Sequence, residues 1–216
     1  MSQVIEFKIY NNILTYLNII KYDPVPDQIS GSPTDEKDSK GYVIKTKDEI
    51  VKTLQFYSYV RIKSKHRDTG KLMYVYIVRD NSIVSKSTEF KSHILNTISE
   101  KDVGITVVSK NGIKTQVLKF ISNYQNKTVY IRNFKYTLFK DDLRNNVMVP
   151  RHDLCTDAEK KKIMSDNFIF SETNFPTISK NDAQVLWLGG EVGQLVKIVR
   201  SDVTGTVCYY RMIINK

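Results

Sequence analysis

The last third of the chain is punctuated so closely that few arrangements can satisfy it. Thr156 and Glu159 have the S/T-x-x-E spacing of a capping box. In that motif the threonine hydroxyl accepts from an exposed helix N–H and the glutamate reaches back to the cap N–H. Asp157 and Glu159 fall in the first turn and Lys160, Lys161 and Lys162 follow, an order that suits the helix dipole. Asp182 reads as a second N-cap, opening a short helix through Val185, Leu186 and Leu188 that the permissive backbone of Gly189 and Gly190 ends. Gly193 allows a tight turn into Leu195–Arg200, whose β-branched residues predict a strand. Ser201–Thr206, with Gly205, is read as a hairpin loop and Val207–Ile214 as the returning strand. Two short helices and a hairpin make a small α+β module. No catalytic constellation falls within it, which points to a docking part of something larger.

Several rarer residues in this stretch hold register together: Val149-Pro150 ahead of the capped helix, Asp182, Gly189, the run Gly193-Gln194-Leu195-Val196-Lys197-Ile198-Val199-Arg200, and Tyr210-Arg211 near the end. This set resembles the C-terminal domain of common subunit 5 of the eukaryotic nuclear RNA polymerases, a family that also has short archaeal members. From Asp182 to Arg200 the spacing matches without a gap. Three departures affect the surface: Ala183 stands where the family usually has proline, Leu186 and Trp187 stand where arginine and tyrosine are common, and the loop after Arg200 is shorter by one residue. The resemblance implies that residues 147–216 dock on the largest polymerase subunit. Pro150, Trp187, Gly193, Lys197, Arg200, Tyr210 and Arg211 are the candidate contacts. Trp187, Tyr209 and Tyr210 admit two readings, packing of the small domain or anchoring on a partner, since aromatics are enriched at interface cores.

The 216 residues suit one large or two small domains. No apolar run is long enough to span a bilayer, and no secretory pattern opens the chain. Cys155 and Cys208 lack metal spacing and are read as reduced thiols of an intracellular protein. On that reading the Asn126-Lys127-Thr128 sequon is inert. The formal net charge is +10 and lies at the front: residues 150–216 carry 9 Lys/Arg against 8 Asp/Glu, leaving +9 for residues 1–149. Such an excess favours a polyanion nearby, most simply nucleic acid. Lysine, asparagine, isoleucine and tyrosine are abundant, as in AT-rich genomes, which gives the charge a second origin.

Along that front, Val4–Tyr22 places Ile5, Ile9, Ile13, Leu17 and Ile20 on one side of a helix. Asp23–Lys40, with three prolines and many charges, reads as a loop. Thr46 and Glu49 repeat the capping box before a helix reaching Tyr57. Tyr59–Lys65 and Leu72–Arg79 are predicted strands, joined by a turn at Arg67-Asp68-Thr69-Gly70. Glu89–Ile98 and Ile113–Tyr124 are predicted helices, and Val103–Ser109 and Thr128–Arg132 predicted strands. This alternation argues an α/β domain with a mixed sheet. Element order also resembles the family's N-terminal jaw domain, which implies a restriction-nuclease-like fold over residues 1–146 lacking an active site.

A nuclease of that fold would need carboxylates holding Mg²⁺ beside a lysine on adjacent strand ends. Asp80 and Glu89-Phe90-Lys91 are the nearest candidates, but Glu89 opens a predicted helix. His66, His93 and His152 lack the spacing of a zinc site, and His66 is expected to face solvent beside the hairpin turn. No phosphate-binding glycine motif occurs. No catalytic residue, metal or cofactor is therefore assigned. Arg61, Lys63, Lys65, Arg67 and Lys71 form a basic hairpin, and residues 61, 63 and 65 share a strand face. They either lie against phosphates or guard an exposed edge strand against aggregation.

The combined expectation is a non-catalytic subunit of a multisubunit DNA-dependent RNA polymerase. It would dock on the largest subunit and flank the entering downstream duplex, with no membrane or small-molecule partner. It would work in a nucleus if cellular, or in a virion or viral factory if encoded by a large DNA virus. The rival expectations are a Mg²⁺-dependent nuclease and a free-standing duplex-binding protein.

Overall fold

Leu72–Val78 and Val103–Ser109 are apolar at almost every position, a pattern that suits strands covered on both faces. In the computed structural model, which describes residues 2–25, 46–56, 59–79, 103–110, 129–203 and 205–215, both are central strands of one sheet. The chain divides into two compact units, Met1–Asp141 and Asp142–Lys216.

The first unit holds a sheet in the order β1-β2-β3-β4-β5. Its strands are β1 (Tyr22–Pro24), β2 (Tyr59–His66), β3 (Leu72–Val78), β4 (Val103–Ser109) and β5 (Val129–Lys135). β1 to β3 pair antiparallel, whereas β3, β4 and β5 run parallel, so the sheet is mixed. The two predicted helices that would cross between the parallel strands, 89–98 and 113–124, lie outside the described residues. Helix α1 (Ser2–Ile19) buries Ile9, Ile13 and Leu17 as predicted, with Tyr10 and Tyr16 beside them. Ile5 is 38% exposed and the neighbouring Glu6 is buried instead, so the apolar face begins one turn later than the spacing suggested. α1 also stops short of Tyr22. Lys21 takes φ 63°, which ends the helix, and Tyr22 pairs with His66. Tyr16, Phe134 and Phe139 meet edge to face at ring separations of 5.3–6.4 Å, joining α1 to β5 and to helix α3 (Tyr136–Lys140). Helix α2 (Lys47–Phe56) carries the predicted capping box: Thr46 N donates to Glu49 Oε2 at 2.8 Å and Glu49 N to Thr46 Oγ1 at 3.3 Å.

The β2–β3 turn is tied down from three sides. Gly70 takes φ 70°. The amides of Asp68 and Thr69 both donate to His66 Nδ1 at 3.2 Å, so the imidazole organises the turn rather than merely facing water. The Arg67 guanidinium clamps Asp23 at 2.6–3.0 Å and donates to Asn18 on α1. The same contact holds the Asp23 carboxyl below its ordinary range, chiefly through the Arg67 hydrogen bonds.

The second unit is a four-stranded sheet in the order β6-β8-β9-β7. Its strands are β6 (Arg151–Leu154), β7 (Thr177–Ser179), β8 (Leu195–Asp202) and β9 (Gly205–Ile214). β6/β8 and β8/β9 are antiparallel and β7/β9 parallel. The two outer strands are too short to show a periodicity in the sequence, which is why only the central hairpin is legible there. The predicted loop is also tighter than expected: Ser201↔Thr206 and Asp202↔Gly205 are already paired, with Gly205 at φ 138°. Helix α4 (Asp157–Asp166) has both capping-box bonds, Thr156 N to Glu159 Oε2 at 2.7 Å and Glu159 N to Thr156 Oγ1 at 3.2 Å. Helix α5 (Ala183–Leu188) starts on Asp182, whose carboxylate accepts from Gln184 N at 2.9 Å, and ends at Gly189, φ 67°.

Alternation along β8 and β9 sends side chains into two cores. Val196, Ile198 and Ile213 meet Val185 of α5 on one face, with Leu154 and Ile178 packed against them. Leu195 and Met212 meet Phe175 on the other, with Ile163, Met164, Ile169 and Tyr210 packed against them. Gly190 sits against the first core. A Cβ there would stand 2.7 Å from Ile213 Cδ1 and 2.9 Å from Val185 Cγ1.

Two outcomes are expected. Gly190→Ala overpacks that core and costs about 1–3 kcal/mol. Urea unfolding followed by the fluorescence of Trp187, the single tryptophan, reads this change in the second unit; an unchanged midpoint would refute the packing. Asp23 titrates low because Arg67 favours its ionised form, so any stability from the pair is present above the ordinary aspartate range. It is lost as pH falls through the lowered folded value. Arg67→Gln returns the Asp23 midpoint upward toward that range in a carboxyl NMR titration.

Candidate nucleic-acid and subunit interfaces

β2 is flanked by β1 along Ser64–His66, and Val25 N continues the contact to Lys63 O at 2.8 Å, so the basic strand is not an edge over that half. Arg61, Lys63 and Lys65 do share a face, opposite Tyr76, Tyr74 and Leu72 of β3. The two inner cations lean over an aromatic: the Arg61 guanidinium lies 5.7 Å and Lys63 Nζ 5.5 Å from the Tyr74 ring centroid. Both are half-buried, whereas Lys65 and Lys71 are exposed. Arg67 belongs to the Asp23 clamp, and Lys21 pairs with Asp68 across the same turn at 3.0 Å. The five basic residues therefore divide into a stacked pair, a structural clamp and two exposed lysines.

A buried carboxyl lies near the C-terminal end of β3, and no local pattern marks it in the sequence. Glu6 lies on α1, 3.7 Å from Arg79 Nε. Burial pushes its carboxyl above the ordinary range, against the pull of Arg79 and Lys110. Tyr136 closes this corner by donating to Val78 O at 2.9 Å. Asp80, Glu89 and Lys91 lie outside the described residues.

In the second unit the candidate contacts scatter. Trp187 is fully buried and stacks under Arg144, whose guanidinium lies 5.3 Å from the ring and is itself held by Asp142 at 2.6 and 2.9 Å. Its role is to pack the small domain. Pro150 is half-buried just before β6. Gly193, at φ 88°, turns the chain and accepts at its carbonyl from Lys160 Nζ at 3.0 Å; Lys160 also pairs with Glu172. Lys197 and Tyr210 are cross-strand neighbours on the sheet face that carries Leu195 and Met212. Arg200 and Arg211 occupy the opposite face; Arg200 covers the Tyr209 ring at 5.3 Å and Arg211 Nη1 donates to Thr177 O at 3.1 Å.

Sequence reasoning weighed Tyr209 as an anchor but missed Val207, Phe168 and Phe170 as exposed apolar side chains of this unit. Val207 and Tyr209 are each 48% exposed on β9, and Phe168 and Phe170 stand almost wholly in solvent on either side of the anchored Ile169. The available signal was the unbroken apolar run Phe168-Ile169-Phe170, three large side chains in succession that an extended backbone cannot turn to one side.

Comparison with known proteins bears on the same unit. The family model for "RNA polymerase Rpb5, C-terminal domain" matches residues 142–213, beginning where the second unit begins. DNA-directed RNA polymerase V subunit 5A of Arabidopsis thaliana is 27% identical over 156 residues, 71% of this chain and 68% of that one. The DNA-directed RNA polymerase RPB5 homolog of African swine fever virus (isolate Tick/South Africa/Pretoriuskop Pr4/1996) is 25% identical over 163 residues, 73% of this chain and 79% of the relative. DNA-directed RNA polymerase subunit Rpo5 of Methanosarcina mazei is 36% identical over 77 residues, which is 35% of this chain but 97% of the relative. With almost the whole of that short protein aligned at this identity, and the Rpb5 match filling the second unit, the chain belongs to the Rpb5 family of RNA polymerase subunits, the archaeal Rpo5 among them.

Proposed function

We propose that this protein is a non-catalytic subunit of a multisubunit DNA-dependent RNA polymerase, in which residues 147–216 dock on the largest subunit and residues 1–146 flank the downstream duplex. The observation that carries the reading is that one relative consists of little more than the matched module, 97% of it being aligned. A module that constitutes a whole subunit elsewhere has its own core and is suited to fitting an enzyme body. Here Trp187 and the two sheet faces supply that core.

The first unit then adds a basic wall. Phosphate contacts position a duplex without reading its bases, so a wall of this kind needs cations held at fixed places rather than a recognition helix. Lys65 and Lys71 are exposed at the end of the β2–β3 hairpin, and the Arg67–Asp23 clamp fixes that end. Arg61 and Lys63, stacked on Tyr74, contribute field more than direct contact. Phosphodiester chemistry would lie in other subunits, and the protein would work wherever its polymerase works, in a nucleus or in a virus-made compartment.

Purification on a tag carried by this chain, with mass spectrometry of the recovered proteins, is expected to return two very large polymerase subunits in near-equal amounts. A chain recovered only as a monomer overturns the proposal. In the assembled polymerase, replacing both Lys65 and Lys71 by glutamine is expected to flatten the log–log salt dependence of duplex retention by about 0.9 for each phosphate no longer neutralised. The isolated chain is expected to bind duplex weakly near physiological salt, and submicromolar affinity there would favour a free-standing DNA-binding protein instead.

A further inference from the structure

The β8–β9 hairpin runs on beyond the strands that flank it. β6 covers β8 only from Val196 to Val199, and β7 covers β9 only from Met212 to Ile214. The residues of β9 from Gly205 to Tyr209 are exposed without alternation, so both faces of the ribbon stand in water.

Backbone parity on the open side of β9 can be read from its base. Met212 N donates away from β8, to Pro176 O at 2.8 Å, while Ile213 N donates toward it, to Gln194 O at 3.0 Å. Peptide groups alternate along a strand, so Tyr210, Cys208 and Thr206 turn their N–H and C=O groups outward as Met212 does. β7 would have covered them had it continued. The chain instead leaves the lane at Pro176, ahead of the buried Phe175. Five residues of edge, Thr206-Val207-Cys208-Tyr209-Tyr210, thus have no strand on the side away from β8 among the described residues.

Edges that remain in water are ordinarily guarded by charge, proline or a bulge. This one has none: its five residues are uncharged, lack proline and favour strands. One face continues the Val196–Ile198–Ile213 core outward as Tyr209 and Val207, bordered by Arg200 and Arg211. We propose that another subunit of the polymerase adds an extended segment to this edge, in line with β7, pairing with the backbone of Thr206, Cys208 and Tyr210. The segment presents alternate apolar side chains to Val207 and Tyr209 and a carboxylate to Arg200 or Arg211. A second copy of the chain is the poorer occupant, because it would bring the same Arg200 and Arg211 to a face that calls for a carboxylate. The inference rests on the subunit reading above and adds the mode of docking and the chemistry of the partner.

The test uses the full chain, alone and within the tagged polymerase. Residue-resolved hydrogen exchange is expected to slow at Thr206, Cys208 and Tyr210 by about tenfold or more on assembly, as strand addition by main-chain bonding requires. Val207 and Tyr209, already bonded to β8, change less. Cys208→Pro removes one outward N–H and leaves the β8 ladder intact, so it is expected to enter the polymerase at least about tenfold less well, while Cys208→Ser enters as the parent does. Trp187 fluorescence reports whether the proline variant is folded; if it is not, the alternation of exchange in the parent decides. Normal assembly of folded Cys208→Pro, or an assembled polymerase without new protection at the three amides, overturns strand addition and leaves the subunit reading standing. Failure of the parent chain itself to enter a polymerase overturns both. The same alternation in the isolated chain, with a dimer in sedimentation equilibrium, assigns the edge to a second copy and overturns the proposal.

Discussion

The second unit depends on one antiparallel ladder, the pairing of Leu195–Asp202 with Gly205–Ile214. Because side chains alternate across a strand, this ladder sends Val196, Ile198 and Ile213 one way and Leu195 and Met212 the other, and each set meets its own cover. α5 can lie close on the first face because Gly190 has no side chain to hold it off. Fewer than eighty residues build a small core, and a two-sided sheet makes the most of it. Trp187 is buried as well, under the Arg144 guanidinium. A small domain has few places to sink a large ring, and the Arg144–Asp142 pair closes the one this domain uses.

The first unit solves a different problem, the placing of positive charge. An excess of basic residues concentrated in one half repels itself unless some cations are paired or stacked. Arg67 is engaged by Asp23, Lys21 by Asp68 and Lys8 by Asp141, all short ion pairs at exposed positions. Such pairs contribute little stability individually, but the first two fix the hairpin turn to α1 and β1. What remains outward at the hairpin is Lys65 and Lys71. Exposed lysines on a fixed turn suit the proposed wall beside a polyanion, since ordering them costs less when the backbone under them is already in place.

Much of the chain is legible before its fold is known, and the reasons are local. Thr156–Glu159 and Thr46–Glu49 are capping boxes in the structure because every bond of the motif lies within four residues. Gly70, Gly189 and Gly193 take positive φ because turns and helix ends demand it and glycine alone meets the demand without steric cost. The readings that needed correction involve geometry that closes only on folding. His66 looked solvent-facing because its bonds to Asp68 and Thr69 depend on how the turn closes. Trp187 looked equally fit for a core or an interface because only packing against distant residues distinguishes them. β6 and β7 were invisible because three or four residues carry no periodicity.

Where helices start and stop, where the chain turns, which half carries the charge and which family the tail resembles are all written in the order of the residues. Each follows from the chemistry of near neighbours or from spacing along the chain. Which cations are already engaged, which aromatics are buried and which stretch of strand lacks a neighbour emerge only when distant segments meet. A strand edge exists only relative to the strands beside it, and the lane left open among the described residues along Thr206–Tyr210 is set by where β7 turns inward at Pro176 and Phe175.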